Sequence, residues 1–305
     1  MMKILHFSLF GKFKIACSDQ VDIGLEARRA RELLAYLLLY RQQPHEREKL
    51  STLLWGDRNP TRARQYLRQT LWQIQSALHP SFVTEPILLA EHDCIGVNPQ
   101  AHFWLDVACF DQAYAIVENI PSSDLSESQR DLLQETVQLY HGDLVEGWYE
   151  DWCIYERERY QSIYLALLDK LVGYSETHGD YKAGMVYAMQ SLRYDRARER
   201  THRALMRLHV LAGNRTAALH QYELCAAALA EELSVAPSKR TIALYEQIRA
   251  ERFTPPAPSW VPPQHNTHNG QSATELALQQ LHAIQTTMVQ LQSQITQLAD
   301  LIEHD

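Results

Sequence analysis

The sequence predicts a mainly α-helical chain with a small α+β section at its N-terminus. Three observations support this. Short alternating apolar runs are confined to the first hundred or so residues. From Val107 onward the apolar residues recur at helical spacing. An unbroken +3/+4 apolar seam runs along the C-terminal tail.

The elements follow in order. "KILHFSLFGKFKI" (Lys3–Ile15) alternates around Gly11 and predicts two short strands and a turn. In "EARRARELLAYLLLYRQQ", Leu33, Leu34, Leu37 and Leu38 form a helical stripe that ends before Pro44. "HEREKLSTLLWG" predicts a shorter helix with Leu50, Leu53, Leu54 and Trp55 inward and Gly56 as C-cap. Asn59-Pro60 starts a third helix, "TRARQYLRQTLWQIQSAL". Its stripe of Ala63, Leu67, Leu71, Ile74 and Leu78 faces inward. After Pro80 a strand-like stretch turns near Glu91–Asp93, predicting a hairpin. Strands, three helices and a hairpin are the layout of a winged helix-turn-helix, with the third helix as its recognition element.

Beyond Val107, polar start signals in "SSDLSESQ" open a helix, and a long one spans about Trp152 to Thr177. Gly179-Asp180 and Gly213-Asn214 lie 34 residues apart. At the same offset Leu171 matches Leu205, Ala183 matches Ala217 and Met185 matches Leu219. This is the tetratricopeptide period, with a small residue after each Gly turn for close helix stacking. A last helix, Ser238–Glu251, caps the stack. Residues 253–272 are rich in Pro, Asn and Gln and predict a linker. In the tail, Leu281, Ile284, Met288, Leu291, Ile295, Leu298 and Ile302 form a coiled-coil seam. Self-association is expected there; a helix folded back on the repeat domain is the alternative. The predicted sections are therefore 1–106, 107–252, 253–272 and 273–305.

Charge locates the functional surface. The formal net charge is −8, yet residues 28–79 hold ten Lys/Arg against four Asp/Glu. That segment suits an anion partner, while residues 80–305 are net acidic. On the third helix, Thr61, Arg62, Arg64, Gln65, Arg68, Gln69 and Gln73 lie off the apolar stripe. Arg pairs bidentately with guanine and Gln with adenine, so these are candidate DNA contacts. Thr61, Arg62 and Gln65, in the N-terminal half, are the better base readers. Arg28, Arg29, Arg31, Arg47 and Lys49 are candidates for phosphate contacts. An ordinary solvated helix face is the competing reading, and it leaves Trp72 unassigned in either case.

Other chemistries find little support. Five scattered cysteines form no CxxC pair, so reduced thiols in a cytoplasmic protein are expected. The fourteen histidines show no zinc-type spacing, and His265 and His268 offer only a weak pair, so no metal is expected. No phosphate-cradling GxxxxGK[ST] occurs, no catalytic constellation can be placed, and neither enzyme activity nor a cofactor is expected. No run approaches the roughly 20 apolar residues of a membrane span. The repeat-region tyrosines, Tyr155, Tyr160, Tyr164, Tyr174, Tyr181, Tyr187 and Tyr194, read mostly as packing residues. A concave helical stack could nonetheless take a peptide or small ligand.

The stretch "RRARELLAYLLLYRQQPHEREKLSTLLWGDRNPTRARQYLRQTL" resembles the winged-helix part of the SARP-type transcriptional activators. "YHGDLVEGWYEDWCIYERERYQ" and the "HRALM…AGNR…AL…Y…L…EL…P" run resemble the bacterial transcriptional activator domain that follows it in that family. The resemblance covers about residues 1–252. It implies binding to promoter direct repeats and recruitment of RNA polymerase. It also implies that Gly56, Asp57, Arg58 and Asn59 form the loop that meets polymerase. Three departures stand out: an acidic hairpin tip with Glu91 and Asp93, Arg196 where the family often has Pro, and the coiled-coil tail. A helical-repeat scaffold whose winged helix binds protein is the alternative function.

Overall fold

The computed structural model describes residues 4–17, 23–78 and 85–254. The expected coiled-coil seam and nearly all of the linker lie outside these residues. The described residues belong to one compact unit.

Strands β1 (Leu5–Ser8) and β2 (Lys14–Cys17) pair antiparallel around the expected turn, where Gly11 takes a left-handed φ of 76°. Leu5, Phe7, Ile15 and Cys17 share the buried face. Helices α1 (Arg28–Leu39), α2 (Arg47–Trp55) and α3 (Pro60–Ala77) follow, and then the hairpin β4 (Leu88–Ala90) and β5 (Cys94–Val97). Two strands escaped the sequence reading. The two-residue β3 (His45–Glu46) pairs with β5, giving the order β3-β5-β4. β6 (Phe103–Leu105) pairs in parallel with β1, giving the order β2-β1-β6.

From there the chain is helical: α4 (Asp106–Val117), a 3-10 turn at Ser122–Asp124, then α5 (Glu127–Gln138), α6 (Asp151–Thr177), α7 (Tyr181–Tyr194), α8 (Glu199–Leu211), α9 (Arg215–Leu233) and α10 (Lys239–Arg249). Ser126 and Gln129 form a capping box at α5. The 34-residue offset is structural as well as sequential. Gly179 and Gly213 both adopt φ 77°, and Asp180 and Asn214 both accept a hydrogen bond from the backbone N–H three residues on. The small residues packed against the neighbouring helix are not Ala183 and Ala217, however. They are Gly184 and Ala218, one position later, because Ala183 and Ala217 stay half-exposed. A Cβ on Gly184 would meet Leu208 side-chain carbons at 3.2 Å, so that helix crossing is tight.

One apolar core runs from Leu5 in β1 to Leu171 in α6. Phe10 touches Phe110, Tyr140 and Tyr160, with ring centroids 4.5, 4.9 and 5.4 Å away. At the same place Asp106, 2% exposed, accepts hydrogen bonds from the N–H groups of Leu9 (2.6 Å) and Phe10 (2.9 Å). Burial raises its carboxyl to about 6, against the opposing pull of these N–H donors.

Candidate nucleic-acid interface

Helix α3 starts where the sequence placed it. Asn59 accepts the Thr61 N–H at 2.9 Å and Pro60 occupies the first helical position. Ala63, Leu67, Leu71, Ile74 and Leu78 are all buried, as expected, with Thr70 added to the stripe. The stripe seats α3 on α1 and α2. On α2, Leu50, Leu54 and Trp55 face inward, but Leu53 is 41% exposed. It falls on the outer side of a nine-residue helix that has only one face against the core.

The opposite side of α3 exposes Thr61, Arg62, Arg64, Gln65, Arg68 and Gln69, while Gln73 is half-buried. Thr61, Arg64 and Arg68 also line a groove of about 830 Å³, together with Arg47, Glu46, Glu48, His92 and Asp93. Its far wall is the turn of the β4–β5 hairpin. Arg47 holds that wall in place: its backbone N–H donates to the Asp93 carbonyl at 2.8 Å and its Nε to the Glu91 carbonyl at 3.1 Å. Arg64 sits 3.6 Å from Glu48, and both are well exposed. The groove is therefore cationic along α3, and the carboxylates of Glu46, Glu48 and Asp93 stand across from it with Arg47 among them.

The remaining candidates are distributed differently. Arg28 and Arg29 bind Glu32, a fully buried carboxylate, each at 2.6 Å. Arg28 also reaches Glu150 at 3.0 Å, just before α6. Burial pushes the Glu32 carboxyl up, with the two arginines pulling the other way. These arginines thus join α1 to the start of α6. The Arg31 Nε is buried without a hydrogen-bond partner, beside a small cavity of about 210 Å³ lined by Lys14, Ile23 and Leu25. Lys49 is exposed.

In the α2–α3 loop, Asp57 and Arg58 pair at 3.2 Å on the surface. Gly56 has φ −62°, an ordinary helical value. Its requirement for glycine is spatial instead, since a Cβ there would lie 2.7 Å from the Thr52 carbonyl oxygen. Arg157, within the stretch that carries the family resemblance, donates to the carbonyls of Leu144 (3.1 Å) and Trp148 (3.0 Å) and so fixes the chain entering α6. Among the described residues, no group of three or more His, Cys, Asp or Glu could hold a metal ion, and no helix is long and apolar enough to cross a membrane.

Residues 105–249, from β6 through α10, match the family described as the bacterial transcriptional activator domain. The match takes in just under half of the chain. With it, the resemblance to the SARP-type activators is borne out. Among solved structures, the chain is similar to Mycobacterium tuberculosis EmbR in complex with a low affinity phosphopeptide. The identity is 18% and the TM-score 0.64, over 83% of this chain and 66% of that one. At this identity the likeness is one of fold, and the chain spans just under two thirds of that structure. No curated protein matches the sequence.

Proposed function

We propose that this activator-domain protein is a sequence-specific DNA-binding regulator of transcription. The observation that carries the reading is the division of α3 into two faces. One is a complete buried stripe. The other is a row of exposed Arg, Gln and Thr on a helix whose start is capped and free. We read residues 1–106 as a winged helix, with α3 lying along the major groove and its first turns closest to the base edges. Residues 107–252 are the tetratricopeptide-like half that makes protein contacts. Arg62, Arg64 and Arg68 supply the helix's cationic contacts. Arg47 and Lys49 flank it, whereas Arg28 and Arg29 must share their charge with Glu32 and Glu150.

The family match favours activation, in which Gly56–Asn59 meets RNA polymerase in the cytoplasm. A coiled coil of the tail would raise the local concentration of two linked DNA binders, making the second contact effectively intramolecular. A peptide or small ligand on the helical half is the input this design leaves room for.

A second reading draws on the acidic wall of the groove. Glu46, Glu48 and Asp93 would suit a basic protein segment better than DNA. A gel-shift salt series separates the two. DNA binding weakens steeply with salt, each lost phosphate contact lowering the log–log slope by about 0.9. Replacing Arg64 and Arg68, on the flanks of the helix, by Ala should flatten that slope by about two units. Absence of any shift with upstream fragments at low salt favours the scaffold.

A further inference from the structure

Trp72 is the most exposed of the described tryptophans, at 67%, and it stands on α3. Helical geometry places it in line with the base-reading residues. At about 100° per residue, Thr61 and Gln65 fall about 20° to either side of it, and Arg68 about 40° away. It therefore continues the Thr61–Gln65–Arg68 row, roughly 16 Å up the axis from Thr61. The fold does not use it, because the buried stripe of α3 is complete without it.

Its surroundings limit what it can meet. Gln69, Gln75 and Ser76, its neighbours on this face, are exposed and polar. A protein-binding patch needs contiguous apolar area of several hundred Å² at its centre. A single indole ringed by amides and hydroxyls offers a point contact instead. Arg68, one turn earlier, adds a cation beside it, which favours an anionic partner.

We propose that Trp72 is a specificity-determining residue that reads a thymine in the major groove, flanking the bases met by Thr61, Arg62 and Gln65. The inference rests on the DNA-binding reading of α3. An indole has an apolar face and one N–H donor, with no acceptor. In the major groove, thymine alone presents an apolar methyl beside an acceptor, O4. Cytosine offers a donor amine, which an indole N–H cannot satisfy, and adenine offers its N7 acceptor beside a donor amine but no apolar group. Guanine offers acceptors but no apolar group.

The test is a cycle between protein and DNA. A duplex is enriched from a random-sequence pool by the wild-type full-length chain, and each thymine in turn is replaced by deoxyuridine, which removes only the methyl. Wild type should lose about four-fold in affinity at one or two positions, the effect of one buried methyl. Trp72→Ala should bind the thymine duplex more weakly and ignore the methyl at those positions. Trp72→Phe should keep part of the methyl response. Equal unfolding temperatures are expected, because the side chain is exposed. The proposal is overturned if methyl removal affects Trp72→Ala as much as wild type, or if Trp72→Ala binds with full affinity. A wild-type chain that enriches no duplex at low salt is a separate outcome, and it removes the DNA-binding reading together with this inference.

Discussion

The acidic wall of the groove makes Glu48→Gln an informative substitution. Glu48 stands 3.6 Å from Arg64, with side-chain exposures of 75% and 60%. In bulk water two unit charges at that separation attract by roughly 1.2 kcal/mol before screening. Exposed pairs of this kind measure about 0.2–1 kcal/mol. Arg64 must give up that attraction to engage a phosphate, so neutralising Glu48 removes a competitor. The expected result is DNA binding tighter by up to about five-fold, corresponding to roughly 1 kcal/mol, with the gain shrinking as salt rises. Stability should fall only slightly, since Glu48 is the acidic residue in the first turn of α2 and its interaction with the helix dipole is worth about 0.3–1 kcal/mol. Fluorescence anisotropy at about 50 and 200 mM salt reads the effect, and the double variant Glu48→Gln/Arg64→Ala should lose it. Weaker binding by Glu48→Gln, or an equal gain with Arg64 absent, would show that the competition argument is wrong.

Further outcomes concern the scaffold. A Cβ on Gly173, in the middle of α6, would meet the Ser122 Cβ at 2.5 Å. Gly173→Ala should therefore destabilise by up to about 2 kcal/mol, overpacking outweighing the roughly 1 kcal/mol gain in helix propensity. Adding Ser122→Gly should reverse the loss, and a single variant more stable than wild type contradicts the clash. Asn59→Ala should cost about 0.5–2 kcal/mol in urea unfolding and loosen the start of α3. Asp106 holds its proton more tightly folded than unfolded, so its contribution is full below about pH 4 and lost as pH rises through about 6. The shift corresponds to roughly 3 kcal/mol, and a difference between wild type and Asp106→Asn that stays flat over this range refutes it.

What was legible in the sequence was local. The α3 stripe, its Asn-Pro start, the hairpin turn at Glu91–Asp93 and the two Gly turns each depend on residues a few positions apart, and each is where the pattern put it. What was not legible depends on distance along the chain. The parallel pairing of β1 with β6 joins Leu5 to Phe103. The link from Arg28 to Glu150 spans 122 positions, and no local pattern records that this arginine is occupied. Leu53 looked like core because leucine usually is, but a short helix with one buried face leaves its far side wet. The candidate site was legible as a face of one helix. The acidic wall opposite it came into view only when α2 and the hairpin turn were folded against that helix.

The pairing of β6 with β1 has a practical consequence for dissecting the chain. A fragment ending before Phe103 would leave β1 with an unpaired edge and Phe10 without Phe110, Tyr140 and Tyr160. A fragment beginning at the activator domain would leave Asp106 without its Leu9 and Phe10 donors. Cutting at the family boundary therefore damages both products, and expression designs should keep the first strand and α6 together. The same join means that a load applied to the helical half reaches the β2-β1-β6 sheet through shared hydrogen bonds instead of a slack tether.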